Sequence, residues 1–158
     1  CEELQAAQKK NANAYYLAAY ALGRYGQLIG VAKAQAEGIG GKVSSALTTA
    51  IKLEPKHADA HIALGTFNAE VIEKVGSMIG KMTYGVSKEA AVENYDKALK
   101  LNPESAVART EKADGLYKLF GDKRMKDVEA LYAEAAASEP KDAMECLDVA
   151  AAKAEMED

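Results

Sequence analysis

Tryptophan is absent from this 158-residue chain, and it has only two phenylalanines, two cysteines and three prolines. Buried sheets draw on β-branched and aromatic side chains, whereas much of the 49% hydrophobic content here is alanine, which suits closely packed helices. An all-α protein is therefore expected. No run of about 20 apolar residues occurs, which argues against a membrane-spanning helix. Cys1 and Cys146 are too far apart in sequence for a zinc motif or a disulfide framework. The net charge of −4 has both signs interleaved and offers no basic footprint for nucleic acid. Gly-x-Ser-x-Gly is missing, and so is a phosphate-cradling glycine loop: Gly38 to Gly41 has no Lys-Ser/Thr at the required spacing. Neither an enzyme nor a bound cofactor is expected.

The three prolines carry the strongest positive signal. Twelve, eight and five residues before Pro55, Pro103 and Pro140 stand Val43, Leu47 and Ala50, then Ala91, Tyr95 and Ala98, then Val128, Tyr132 and Ala135. A phrase of small or β-branched, large, alanine and proline that recurs in register marks a helical repeat. Repeat arrays display a binding surface more often than they catalyse.

Apolar periodicity predicts a first helix from about Asn11 to Glu37, stopped by Gly38 to Gly41, and a partner from Lys42 to Leu53. A third helix is expected from Ala58 to Met82, because Val71, Ile72, Val75, Met78, Ile79 and Met82 hold one stripe. Helices over about Lys88 to Leu101, Glu104 to Leu119 and Lys126 to Ser138 complete three antiparallel pairs. Asp142 to Glu155 reads as a capping helix with Cys146, Leu147 and Ala150 inward. The expected organisation is a polar segment or tether over 1–13 and one helical domain over 14–158, its repeats ending near Pro55, Pro103 and Pro140.

With these residues in place, the chain resembles the tetratricopeptide repeat family. Leu64-Gly65 stands where the family has Leu-Gly in the first helix of a repeat, and Leu22-Gly23 is its counterpart in helix one. Lys112-Ala113 departs from that pair, and the prolines stand 48 and 37 residues apart where the family repeats at about 34. The long first helices also resemble the regulator-of-microtubule-dynamics family and the lipid-anchored, repeat-bearing component of some tripartite periplasmic transporters. Tyr20-Ala21-Leu22, Ala50 to Pro55 and His61 to Gly65 carry the first of these likenesses. The resemblance implies a short superhelix of about three helix pairs plus a cap, which recognises a protein or peptide on its concave face.

Matching repeat positions puts Tyr20, Arg24 and Gln27 on that face from helix one, Asp59, Ile62, Thr66 and Ala69 from the second pair, and Val107, Thr110, Asp114 and Tyr117 from the third. The alternative is a periplasmic carrier or transporter accessory that holds a small ligand between two long helices, whose overhangs must bury Ile29, Val75, Ile79 and Met82. His57 and His61, four apart beside Asp59, are the only metal candidates, and the stretch offers too few ligands for a closed site. The lysines from Lys74 to Lys88 suggest a basic end for an anionic partner. A chain that begins at Cys has the form of a bacterial lipoprotein after signal cleavage. Cys1 is thus a lipidation candidate, and the periplasm or the membrane facing it is the expected location, with the cytoplasm as the alternative. Three repeats are few for an independent array, so a homo-oligomer is also in view.

Overall fold

The computed structural model describes residues 2–156, and every regular element among them is helical. In chain order these are α1 (Glu2–Ala7), α2 (Ala12–Ile29), α3 (Val31–Ala36), α4 (Ile39–Leu53), α5 (Ala58–Val75), α6 (Ser77–Tyr84), α7 (Lys88–Leu101), α8 (Ala106–Phe120), a 3-10 turn (Gly121–Arg124), α9 (Met125–Ala136) and α10 (Ala143–Ala154). The main packing partners are α2 with α4, α5 with α7 and α8 with α9; α5 joins α8, and α10 closes over α8 and α9. The expected three pairs and a cap are therefore present. Part of the expected tether is the helix α1, which packs on α2. Cys1 lies outside the described residues.

The proline phrase marks the second helix of each pair. Val43, Ala91 and Val128, and Ala50, Ala98 and Ala135, are all buried, as are Leu47 and Tyr95, while Tyr132 is partly buried. Tyr95 is 1% exposed and lies between α5 and α8. A Cβ added at Gly65 would stand 2.9 Å from its ring, and one added at Gly115 would collide with the ring and its hydroxyl. The two glycines let the first helices of neighbouring pairs close onto one aromatic wedge.

The prolines do a second job. Two residues after each stands the N-cap of the next helix: His57 Nδ1 accepts from Ala60 N at 3.2 Å, Ser105 Oγ from Ala108 N at 3.2 Å, and Asp142 Oδ1 from Met144 N at 2.8 Å and Glu145 N at 2.9 Å. Each proline thus ends one helix and starts a short turn, whose third residue satisfies the orphan amides of the next.

Two long helices expected from periodicity are broken. Gly30 (φ 81°, ψ 160°) ends α2 and Gly76 (φ 84°, ψ 156°) ends α5 in the same conformation, one open essentially to glycine alone. The chain turns at each and resumes as α3 and α6. The overhang therefore leaves Met82 83% exposed and Ile79 about half exposed, while Ile29 and Val75 are partly buried. The glycine run stops nothing beyond Gly38, which is left-handed; Gly40 and Gly41 lie in the first turn of α4. The capping helix turns the other way from the expected one: Val149 and Ala152 face inward, and Cys146, Leu147 and Ala150 are exposed. No helix among the described residues is long and apolar enough to cross a membrane.

Candidate functional site: the groove along α2, α5 and α8

Each of the first helices contributes a stripe at steps of four, three and four residues, the spacing of one helix face. From α2 come Tyr16, Tyr20, Gly23 and Gln27; from α5, Asp59, Ala63, Thr66 and Glu70; from α8, Val107, Glu111, Asp114 and Lys118. Together they line a groove of about 370 Å³, floored by Ala19, Val43, Leu47, Ile62 and Phe67. Of the residues expected on the concave face, Tyr20, Arg24, Gln27, Asp59, Ile62, Thr66, Val107 and Asp114 meet there.

Thr110 and Tyr117 do not. Each precedes a groove residue, Glu111 or Lys118, and one residue is a rotation of about 100° on a helix. Tyr117 is 52% exposed away from the groove, and the buried Thr110 Oγ1 has no hydrogen-bond partner among the described residues. Ala69 is fully buried in the core beside Tyr95. Tyr16, Glu70, Glu111 and Lys118 are groove residues that sequence reasoning missed. The signal for them was the continuation of each stripe by a further four residues.

Polar contacts tie the three helices across the groove. Arg24 lies over the Tyr20 ring at 5.4 Å and donates through Nη1 to Gln27 Oε1 at 3.2 Å; Gln27 Nε2 donates to Glu70 Oε1 at 2.9 Å. Lys118 and Lys74 stand 3.8 and 3.7 Å from the same carboxylate. A second line runs from the core to the surface: the Tyr95 hydroxyl donates to Thr66 Oγ1 at 3.1 Å, and Thr66 donates to Glu111 Oε2 at 2.7 Å. The Tyr132 hydroxyl donates to Asp114.

Burial pushes the Glu111 carboxyl above the usual carboxylate range, against the Thr66 hydrogen bond that favours its charged form, with Asp114 and Glu70 adding to the rise. Burial likewise raises the Tyr16 phenol, helped by Asp59. A carboxyl whose pKa is raised by folding favours the native state most below its unfolded value near 4.5, and that contribution fades as pH climbs through the higher folded value. Glu111→Gln, which keeps the shape of the neutral acid, is expected to raise Tm at about pH 8 and to give no gain near pH 4. Thermal unfolding across that range checks it; a gain that grew on acidification would contradict the assignment.

The two histidines are used structurally. His57 Nδ1 caps α5 and Nε2 donates to Asn13 Oδ1 at 2.9 Å; His61 Nδ1 meets Asn94 Oδ1 at 2.8 Å and Nε2 meets Pro55 O at 3.2 Å. With both ring nitrogens of each engaged, and no group of three metal-ligating side chains among the described residues, this pair offers no metal site. At the basic end Lys74 pairs with Glu70, while Lys88 donates to Leu119 O and covers the Phe120 ring, neither of which cancels its charge.

A second cavity, of about 130 Å³, opens where the glycine breaks turn α3 and α6, and Val31, Ala34, Ile39, Val71, Val75 and Tyr84 wall it. Compared with known protein families and with curated proteins, the chain matches none.

Proposed function

We propose that this chain is a non-catalytic scaffold of tetratricopeptide type that captures an extended segment of a protein partner along the groove between α2, α5 and α8. The observation that carries this reading is the set of three matching stripes, one from each first helix, facing one open channel. Its mixture of tyrosine, aliphatic, amide and charged side chains suits main-chain hydrogen bonding and side-chain stacking with a peptide. A carrier of small ligands is the second reading, and the 130 Å³ cavity favours it. That cavity alone is well below the roughly 300–1,000 Å³ of ordinary small-molecule sites, so a carrier would have to use the 370 Å³ groove as well.

Gly23 provides the test. It lies on the groove wall in helical backbone, and a Cβ there would meet nothing within 4 Å. Gly23→Phe fills the channel and replaces a poor helix former, so the folded state is expected to be at least as stable as wild type. Peptides selected on the wild-type protein from a random library should lose about tenfold or more in affinity for the variant, measured by fluorescence anisotropy. Equal affinity for both proteins would remove the groove from consideration.

A further inference from the structure

The groove continues past its polar centre. Gly23, Gln27, Val43, Phe67 and Glu70 line both the groove and the 130 Å³ cavity, so the two spaces share a wall and communicate. The cavity is walled mainly by aliphatic side chains, Phe67 and Tyr84, with Gln27, Gln35, Glu70 and Lys74 also lining it, and its volume is close to that of an apolar cavity that accepts a benzene-sized group. It therefore has room for one leucine or phenylalanine side chain.

Away from the cavity the groove is acidic, from Asp114 and Glu111 beside Thr66 to Asp59 at the far end. Glu70 is committed to Gln27, Lys74 and Lys118. Glu111 and Asp114 accept only from hydroxyls, those of Thr66 and Tyr132, and Asp59 makes no hydrogen bond or ion pair among the described residues. These three carboxyls line the channel, and among the described residues no lysine or arginine forms an ion pair with them.

The structure thus points to a two-part peptide motif, and we infer that one apolar side chain seats in the cavity while a lysine or arginine further along the same segment pairs with the line of carboxyls that runs from Asp114 and Glu111 to Asp59. The inference rests on the peptide-binding reading above and adds the class of segment recognised. Spacing follows from α5, which runs the length of the site. From Val71 it is five residues, or about 7.5 Å, back to Thr66 beside Glu111, and twelve residues, or about 18 Å, to Asp59 at the far end. An extended peptide covers those distances in about two to six residues.

The experiment is an array of immobilised peptides of about ten residues on a Gly/Ser background, with one leucine and one lysine moved through all relative positions. The intact chain is the probe. Strongest retention is expected at separations of about two to six residues, with loss when lysine becomes glutamate. Asp59→Asn with Asp114→Asn should weaken the lysine-bearing peptides about tenfold and leave the leucine requirement in place. Val31→Phe, which puts a ring into the cavity from a half-exposed position, should remove the leucine requirement and leave the lysine one. Unchanged Tm in both variants shows that binding, not folding, has been altered.

Retention that ignores charge and spacing, and is untouched by both variants, would overturn the motif and leave the groove itself standing. No retained peptide would overturn both. A small apolar molecule found by native mass spectrometry in protein that binds no peptide would assign the cavity to a carrier and likewise end the motif proposal.

Discussion

Tyr95→Ala is expected to cost about 3–5 kcal/mol, a large part of the 5–15 kcal/mol that holds a domain of this size together. The ring is almost wholly buried and is the wedge on which α5 and α8 close, through Gly65 on one side and Gly115 on the other. Removing it leaves a void between two helices whose backbones already meet the ring at glycine, so neither can collapse to fill the space by repacking a side chain. At roughly 2–4 °C per kcal/mol the midpoint should fall by about 10 °C. Tyr95→Phe removes only the bond to Thr66 and should cost about 1 kcal/mol. Gly115→Ala tests the same wedge from the other side. Alanine gains about 1 kcal/mol in helix propensity, yet its methyl would collide with the Tyr95 ring and hydroxyl, and overpacking of about 1–3 kcal/mol should win. Urea unfolding of the three variants decides it; a Tyr95→Ala loss below about 1 kcal/mol would show that the ring is not what joins the pairs.

The second large effect belongs to the glycine breaks. Gly30→Ala and Gly76→Ala each put a Cβ into a backbone conformation that costs of order 1–3 kcal/mol for any other residue, so the double variant is expected to lose about 2–6 kcal/mol if the turns persist. The alternative open to the chain is to straighten, since apolar periodicity continues through both glycines. Straightening would relieve the strain by carrying α3 and α6 away from the cavity they wall. If the chain straightens, the leucine dependence of peptide binding should disappear with the walls; if the turns persist, it should remain and the strain should show as lost stability. Gly23→Ala is the control: it sits in helical backbone with open space beside it and should gain up to about 1 kcal/mol. A double variant as stable as wild type and still selective for leucine would contradict the role given to the two turns.

The second helices were legible in the sequence because burial and chain termination coincide there. A small residue, a large one and an alanine recur before each proline, and only a core position explains all three. The caps at His57, Ser105 and Asp142, two residues past each proline, were not read, although the prolines beside them stood out. The breaks at Gly30 and Gly76 were hidden. A helix interior tolerates a lone glycine at about 1 kcal/mol, and the stripe of Val71, Val75, Ile79 and Met82 argued for continuity. The groove was readable on α2 and for most of α5. On α8 the register was right, and Thr110 and Tyr117, like Ala69 on α5, missed because the expected face stepped three, four and three residues where the groove face steps four, three and four. In α10 alanine occurs on both faces, so periodicity could not say which way the helix turns.

The central claim is that partners bind between α2, α5 and α8, and amide chemical-shift mapping with a library-selected peptide tests it most directly. The account predicts the largest changes at Tyr20, Gly23, Thr66, Glu111 and Asp114, which come from three different helix pairs and meet only in the groove. Changes confined to α4, α7 and α9, with those five amides unmoved, would contradict it.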